Sequence, residues 1–248
     1  MATRLMSRKQ RPTPDAMTLA QHLGELRRRV IIMVAAAVIG AIIAAVFYNR
    51  MLMVLQHPYC RVNPGHCSFY VTGPLDPLAL RIKLSLFGGL AIASPVILWQ
   101  LWRFVTPGLH ASERRYVIPF VAASVLLFVA GGALAYYIFP HALTFLKAVG
   151  GPTLHEILNP NQYLSLMLLM MTLFALTFEF PVVLVALELA HVVTPAKLLH
   201  LWRWAVIGLT LVAAVFTPSS DPFSMMALAL PLIVFYFIAI GIGKLLGR

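Results

Sequence analysis

Two apolar segments meet at the stretch Ser94-Pro95-Val96-Ile97-Leu98-Trp99-Gln100-Leu101-Trp102-Arg103-Phe104-Val105-Thr106-Pro107-Gly108-Leu109-His110-Ala111-Ser112-Glu113-Arg114-Arg115. The first segment ends there in aromatic residues and an arginine, which is typical of a helix that reaches a membrane surface. A Pro-Gly turn and a short charged segment follow, and the second apolar segment begins at Tyr116. This arrangement predicts that the carboxylate of Glu113 is held between basic residues at a membrane surface.

A segment near the N-terminus has the same chemistry: Gln21-His22-Leu23-Gly24-Glu25-Leu26-Arg27-Arg28-Arg29. We interpret the two segments as halves of a peptide-binding site in which Glu25 and Glu113 receive a basic ligand, because carboxylates accept guanidinium groups bidentately. The alternative is that each carboxylate only pairs with a neighbouring arginine (Arg28 or Arg29, and Arg114 or Arg115). Such exposed pairs contribute about 0–1 kcal/mol, and the two segments taken alone favour this alternative.

Composition makes the chain an integral membrane protein. Hydrophobic residues make up 60% of its 248 residues and charged residues 11%, whereas a soluble domain needs more polar residues to cover its surface. The apolar residues form near-continuous runs, which indicates helices rather than the alternating strands of a membrane barrel. The net charge of +11 does not indicate a nucleic-acid partner, because the basic residues lie at the ends of the spans, where they set topology.

The runs predict an all-α fold with one six-helix transmembrane domain over residues 18–248, after a flexible basic tail at 1–17 that is not a cleavable signal peptide. Residues 19–29 are expected to form a helix at the interface, and residues 49–80 and 141–161 are expected to be loops. The fifth and sixth spans look too short for an ordinary bilayer. The predicted spans are approximately residues 30–48, 81–102, 116–139, 162–190, 203–216 and 223–242.

Basic residues predict the orientation. Of the 19 lysines and arginines, fourteen fall on the side that carries both termini, and by the positive-inside rule this side is cytoplasmic. Arg81 and Lys83 fall on the other side and are expected to extend towards the interface. Trp99, Trp102, Trp202 and Trp204 are expected to form an aromatic belt at the cytoplasmic interface.

Glu179 lies well inside an apolar span, in the sequence Glu179-Phe180-Pro181 that also predicts a kink. A carboxylate there costs a few kcal/mol or more, so its expected role is to dock a polar group of a partner helix. A structural hydrogen bond to another helix of the same chain is the alternative. Glu188 is nearer the interface and is expected to be solvated.

Cys60 and Cys67 lie seven positions apart in a loop on the oxidising side, so a disulfide between them is the favoured interpretation. A metal site that includes His57 or His66 is the alternative, but its spacing matches no zinc pattern. The sequence contains no phosphate-binding loop, zinc-protease motif or nucleophile elbow, so neither an enzyme nor a resident cofactor is expected. A secondary transporter of a small solute remains an alternative function, although no internal repeat supports it.

Several motifs in order along the chain resemble the TatC family, the multispanning receptor of the twin-arginine translocase. They include the His22–Arg27 and Ser94–Leu109 segments, with Glu113-Arg114-Arg115. Further matches follow in Phe178–Val183, Phe216–Ser224 and Ala229–Leu232. The resemblance implies six helices in a curved, cupped arrangement, with both termini cytoplasmic. It also implies transport of folded cargo across the cytoplasmic membrane, driven by the proton-motive force.

The resemblance also assigns roles to residues and partners. Residues implied in binding the twin-arginine signal peptide are Glu25, Glu113, Arg27, Phe104, His22 and Arg114. Residues implied in contacting single-span TatA or TatB partner helices are Glu179, Thr217, Asp221 and Met225. Self-association in a receptor complex and contact with membrane lipid are implied as well. Two positions depart from the family pattern: Met225 stands where many members have glutamine, and Phe237 where an acid is usual.

Overall fold

The computed structural model describes residues 19–62, 69, 71, 73–105, 117–150, 159–219 and 221–245. These ranges are overwhelmingly α-helical. In chain order the helices are α1 (Leu19–Val46), α2 (Tyr48–Val62), α3 (Asp76–Val105), α4 (Val117–Gly150), α5 (Pro160–Thr177), α6 (Phe180–Leu189), α7 (Pro195–His200), α8 (Trp202–Phe216) and α9 (Pro222–Leu245).

Within these ranges five segments are long and apolar enough to cross a membrane: α1, α3, α4, α9, and α5 together with α6. The shorter apolar helix α8 supplies the sixth crossing. Because consecutive crossings run in opposite directions, their ends fall on two faces of the bundle. We call the end that carries Glu25, Phe104 and Lys244 the terminal face, and the end that carries Lys83 and Asp221 the opposite face.

The predicted spans are found, but several of their boundaries were wrong. The expected interfacial helix at 19–29 is continuous with the first span in α1, because no proline or glycine stands where Arg29 meets Val30. The expected loop at 49–80 contains the 15-residue helix α2. Helix α4 continues through Pro140 to Gly150, and α9 has 24 residues, so the sixth span is not short.

Helix α2 was missed because Pro58 argues against a helix. A proline removes the N–H that would bond to the carbonyl four residues earlier, here that of Val54. In the structure the Tyr136 hydroxyl donates to this oxygen at 2.9 Å. The Tyr163 hydroxyl donates to the next carbonyl, that of Leu55, at 2.9 Å. Hydroxyls of α4 and α5 therefore support a helix that local sequence preferences disfavour.

The fourth crossing is interrupted where Glu179-Phe180-Pro181 predicted it. Helix α5 ends at Thr177 and α6 begins at Phe180, with Pro181 in its first turn. Helix α7 also begins as its sequence predicts, because the Thr194 hydroxyl accepts from the backbone N–H of Lys197 and a proline follows the cap.

Helices α1 and α3 pack closely through glycine. A Cβ atom at Gly40 would lie 2.5 Å from the carbonyl oxygen of Gly89, and one at Gly89 would lie 2.5 Å from the backbone nitrogen of Ala41. No larger side chain fits at these positions without separating the two backbones. Small residues allow such close approach between membrane helices, where dispersion contacts replace the hydrophobic effect as the main attraction.

Lys83, which was expected to extend towards the interface, is partly buried at the opposite face. Its ammonium group donates to Asn161 Oδ1 and Ser165 Oγ, both at 2.5 Å. These contacts join α3 to the start of α5, through acceptors that lie 78 and 82 positions further along the chain. Arg81 instead lies over the ring of Tyr48, 5.6 Å from its centroid.

Candidate functional site

Helix α3 carries the Ser94–Phe104 segment to the terminal face. Pro95 lies inside this helix and leaves the carbonyl of Ala91 without its usual N–H donor. The Ser94 hydroxyl donates to that oxygen at 2.8 Å. The Ser-Pro pair therefore keeps the helix continuous up to Gln100, Trp102 and Phe104.

Glu25 and Gln100 are joined by one arginine. Arg29 Nε donates to Glu25 Oε1 at 3.1 Å, and Arg29 Nη2 forms an ion pair with the same oxygen. Arg29 Nη1 donates to both the backbone oxygen and the side-chain oxygen of Gln100, each at 3.4 Å. The contact brings the N-terminal segment and the Ser94–Phe104 segment together at the terminal face.

The other predicted peptide-binding residues are only partly described. Arg27 is exposed on α1, and Phe104 is half-buried near the end of α3. The side chain of His22 and all of Glu113 and Arg114 lie outside the described residues. Pairing of Glu25 with a neighbouring arginine, considered above as the alternative to ligand binding, occurs in this structure with Arg29.

A polar network lies within the membrane next to the predicted partner site. The Trp102 indole N–H donates to the buried Ser124 hydroxyl at 2.7 Å, and Ser124 also interacts with the carboxyl group of Glu179. Trp102 is therefore buried near the end of α3, whereas Trp99, Trp202 and Trp204 are exposed. Among the described residues, Glu179 Oε1 is buried and has no hydrogen-bond partner.

Thr217 and Asp221 use their polar atoms within their own turn. The Thr217 hydroxyl donates to the carbonyl of Ala213 at 2.6 Å. Asp221 Oδ1 accepts from the Ser219 hydroxyl, and Oδ2 accepts from the backbone N–H of Ser224 at 2.5 Å. Asp221 thus caps the N-terminus of α9. Met225 packs against the apolar core. Of the four residues predicted to contact a partner helix, Glu179 is therefore the one with a buried oxygen that has no hydrogen-bond partner among the described residues.

Asp221→Ala should lower the free energy of unfolding by about 1–2 kcal/mol, because it removes the α9 cap and leaves two donors without their acceptor. Asp221→Asn keeps a neutral acceptor and should cost less. Thermal unfolding in detergent would measure both variants. An equal loss for the two variants would contradict the capping role.

Glu188 was expected to be solvated, and the structure shows the reverse. The residue is 1% exposed, and neither carboxyl oxygen has a hydrogen-bond partner among the described residues. Its Oε2 fits against Gly243 of α9, and an added Cβ there would collide with the carboxyl group. Sequence position alone could not identify this site, because the glycine that makes room for the carboxyl group lies 55 positions further along the chain.

Cys60, in the last turn of α2, takes part in a disulfide bond. The sequence has one other cysteine, Cys67, which lies outside the described residues. Over the described ranges, no three His, Cys, Asp or Glu side chains cluster closely enough to hold a metal ion.

These features define a multi-pass α-helical membrane protein with a carboxylate–guanidinium site at one face and a carboxyl group inside the membrane. The family model for the Sec-independent protein translocase protein (TatC) matches residues 21–231. The chain therefore belongs to the TatC family.

Relatives and solved structures agree with this assignment. The TatC protein of Frankia casuarinae is 41% identical over 97% of this chain and 70% of its own length. That of Aquifex aeolicus is 37% identical over 94% of this chain and 97% of its own. A crystal structure described as the twin arginine translocase receptor TatC superimposes with a TM-score of 0.73 at 36% identity, covering 92% of this chain and all of the other. A second, in DDM, gives a TM-score of 0.75 at 36% identity, covering 90% and 99%.

Family membership decides between the two functions that the sequence left open. The chain is a component of a Sec-independent protein translocase and not a secondary transporter of a small solute. Its family is a family of translocase components rather than enzymes.

Proposed function

We propose that this chain is the receptor subunit of a twin-arginine translocase in a cytoplasmic membrane. Its terminal face, which by the charge distribution is cytoplasmic, binds the paired arginines of a signal peptide on a folded precursor. Glu25 and Glu113 are the carboxylates that receive the arginines, and Arg27, Phe104, His22 and Arg114 surround them. Transport then depends on the proton-motive force and on single-span TatA or TatB partners, with self-association of the receptor.

The observation that carries this proposal is the guanidinium group already held by Glu25. Arg29 directs two of its nitrogens at one carboxylate oxygen while a third reaches Gln100. The side chain of Glu25 remains 25% exposed, so a ligand at the terminal face has access to it. Carboxylates bind forked guanidinium groups with more geometric specificity than they bind a lysine ammonium group.

A second part of the proposal concerns partners inside the membrane. Glu179 has a buried oxygen without a partner in the described part of the chain, and such a group in a membrane is a strong candidate for contact with another helix. Met225 and Phe237 contribute no polar group, so partner contact in this chain depends more heavily on Glu179.

Site-specific photo-crosslinking tests the receptor function. A benzoyl-phenylalanine would replace Phe104, and in a separate variant a photo-reactive residue would be placed at position 113, both in intact membranes. We expect crosslinks to a signal peptide with two arginines and much weaker crosslinks to the same peptide with two lysines. Position 50, exposed at the opposite face, provides the control. No crosslink to either peptide from inserted, folded protein would refute the receptor function.

A further inference from the structure

Three consecutive arginines follow Glu25 in α1, and they differ in burial. Arg27 and Arg28 are exposed, whereas the side chain of Arg29 is only 11% exposed. Arg29 is four positions after Glu25, the spacing that places two side chains on the same helix face. The least exposed of the three arginines is therefore the one that pairs with Glu25.

The contact made by Arg29 has the chemistry proposed for the ligand. Its Nε and Nη2 both reach Glu25 Oε1, so a guanidinium group of the chain itself occupies this carboxylate oxygen. Its Nη1 reaches two oxygens of Gln100 on α3. Arg29 is consequently held from two sides, by the carboxylate on its own helix and by an uncharged residue on the neighbouring helix.

A peptide arginine that binds to this oxygen has to replace Arg29, because the hydrogen-bonding directions of the oxygen are already in use. Resting on the receptor function proposed above, we propose that Arg29 is the internal occupant of the Glu25 site and that an arginine of the signal peptide displaces it. Gln100 retains the displaced Arg29 through the contacts that it already makes.

This exchange makes Arg29 an internal competitor of the signal peptide. A peptide arginine that displaces Arg29 replaces one charged contact with another, so part of its binding free energy is used to release Arg29. Every ligand of this oxygen meets the same competitor, so Arg29 lowers the affinities of an arginine peptide and of a lysine peptide by the same factor. The preference for arginine then comes from the carboxylate itself, which a compact ammonium group matches less well than a forked guanidinium group.

The test measures binding of two synthetic signal peptides, one with two arginines and one with two lysines, to the full-length protein in lipid nanodiscs. For Arg29→Gln we expect binding of both peptides to strengthen about tenfold, in keeping with the loss of a charge-assisted forked competitor. The preference for arginine over lysine should stay unchanged, because both peptides displace the same group. Arg29→Lys keeps a charged competitor and should strengthen binding less than Arg29→Gln does.

Arg28→Gln is the matched control, because it removes the same charge from an exposed neighbour, and it should leave the affinities of both peptides unchanged. Weaker or unchanged binding of the arginine peptide to folded Arg29→Gln would overturn the proposal and make Arg29 a residue that only orients Glu25. An equal gain in affinity for Arg28→Gln would overturn it in favour of a general charge effect.

Glu25→Gln separates this inference from the receptor function on which it rests. If Glu25→Gln weakens binding of the arginine peptide and Arg29→Gln does not strengthen it, the exchange fails and the receptor function stands. If Glu25→Gln has no effect on binding of either peptide, Glu25 is not part of the receptor site and both proposals fail. Thermal unfolding of each variant in the same nanodiscs identifies any loss of binding that comes from misfolding.

Discussion

Gly89→Val should lower the free energy of unfolding by about 3 kcal/mol or more, the upper part of the range for overpacked interiors. A Cβ at this position would lie 2.5 Å from the backbone nitrogen and 2.6 Å from the Cα of Ala41. Both are backbone atoms of α1, so no side-chain rotation relieves the collision and the two helices must move apart. The same separation would break the contacts between Gln100 and Arg29, so weaker peptide binding should accompany the loss of stability.

Gly132→Val is the matched control for this change. Gly132 lies in α4, where an added Cβ meets no atom within 4 Å. The same substitution there should change stability by no more than about 0.5 kcal/mol, as surface substitutions do. Thermal unfolding in detergent compares the two variants directly. Similar midpoints for both would show that α1 and α3 do not pack through their glycines.

Glu179→Ala should reduce recovery of a co-expressed TatA or TatB partner about tenfold, because an interhelical hydrogen bond in a membrane contributes on the order of 1–2 kcal/mol. The change should cost the chain itself no more than about 1 kcal/mol, because it breaks one hydrogen bond to Ser124 and at the same time removes a buried oxygen that has no partner among the described residues. Loss of the partner with only this small loss of thermal stability would therefore be the signature of a docking residue.

Two further variants serve as controls for this experiment. Glu179→Gln keeps a hydrogen-bonding side chain of the same length and should retain most of the partner. Glu188→Gln changes the other carboxyl group of the same crossing, which the chain itself encloses against Gly243, and should leave recovery unchanged. An undiminished yield for Glu179→Ala would show that the partner contact lies elsewhere.

Glu25 illustrates what a local pattern can predict. The spacing of Glu25 and Arg29 is enough to predict that the two side chains can pair. It does not distinguish Arg28 from Arg29, since both lie within reach on a helix. The tertiary contact with Gln100, 71 positions away, holds Arg29 in its place, and no helical pattern in α1 contains that information.

The two acids of the fourth crossing show what a local pattern cannot predict. Both lie in one apolar run, and distance from the end of the run predicted that Glu179 is enclosed and Glu188 solvated. The structure buries Glu188 because Gly243 on α9 leaves room for its carboxyl group. Burial in this bundle depends on which helix lies alongside, and that cannot be obtained from depth in the membrane alone.

The sequence by itself determined the class of protein, the approximate positions of six crossings, the break before Pro181 and the family. These properties depend on apolar runs, prolines and short motifs, which act over one or two helical turns. Tertiary structure alone decided that α2 is a helix despite Pro58, that Lys83 bonds to the start of α5, and which polar atoms have partners. Those outcomes depend on donors, acceptors and glycines from distant segments, because a buried polar group takes its partner from whichever helix packs against it.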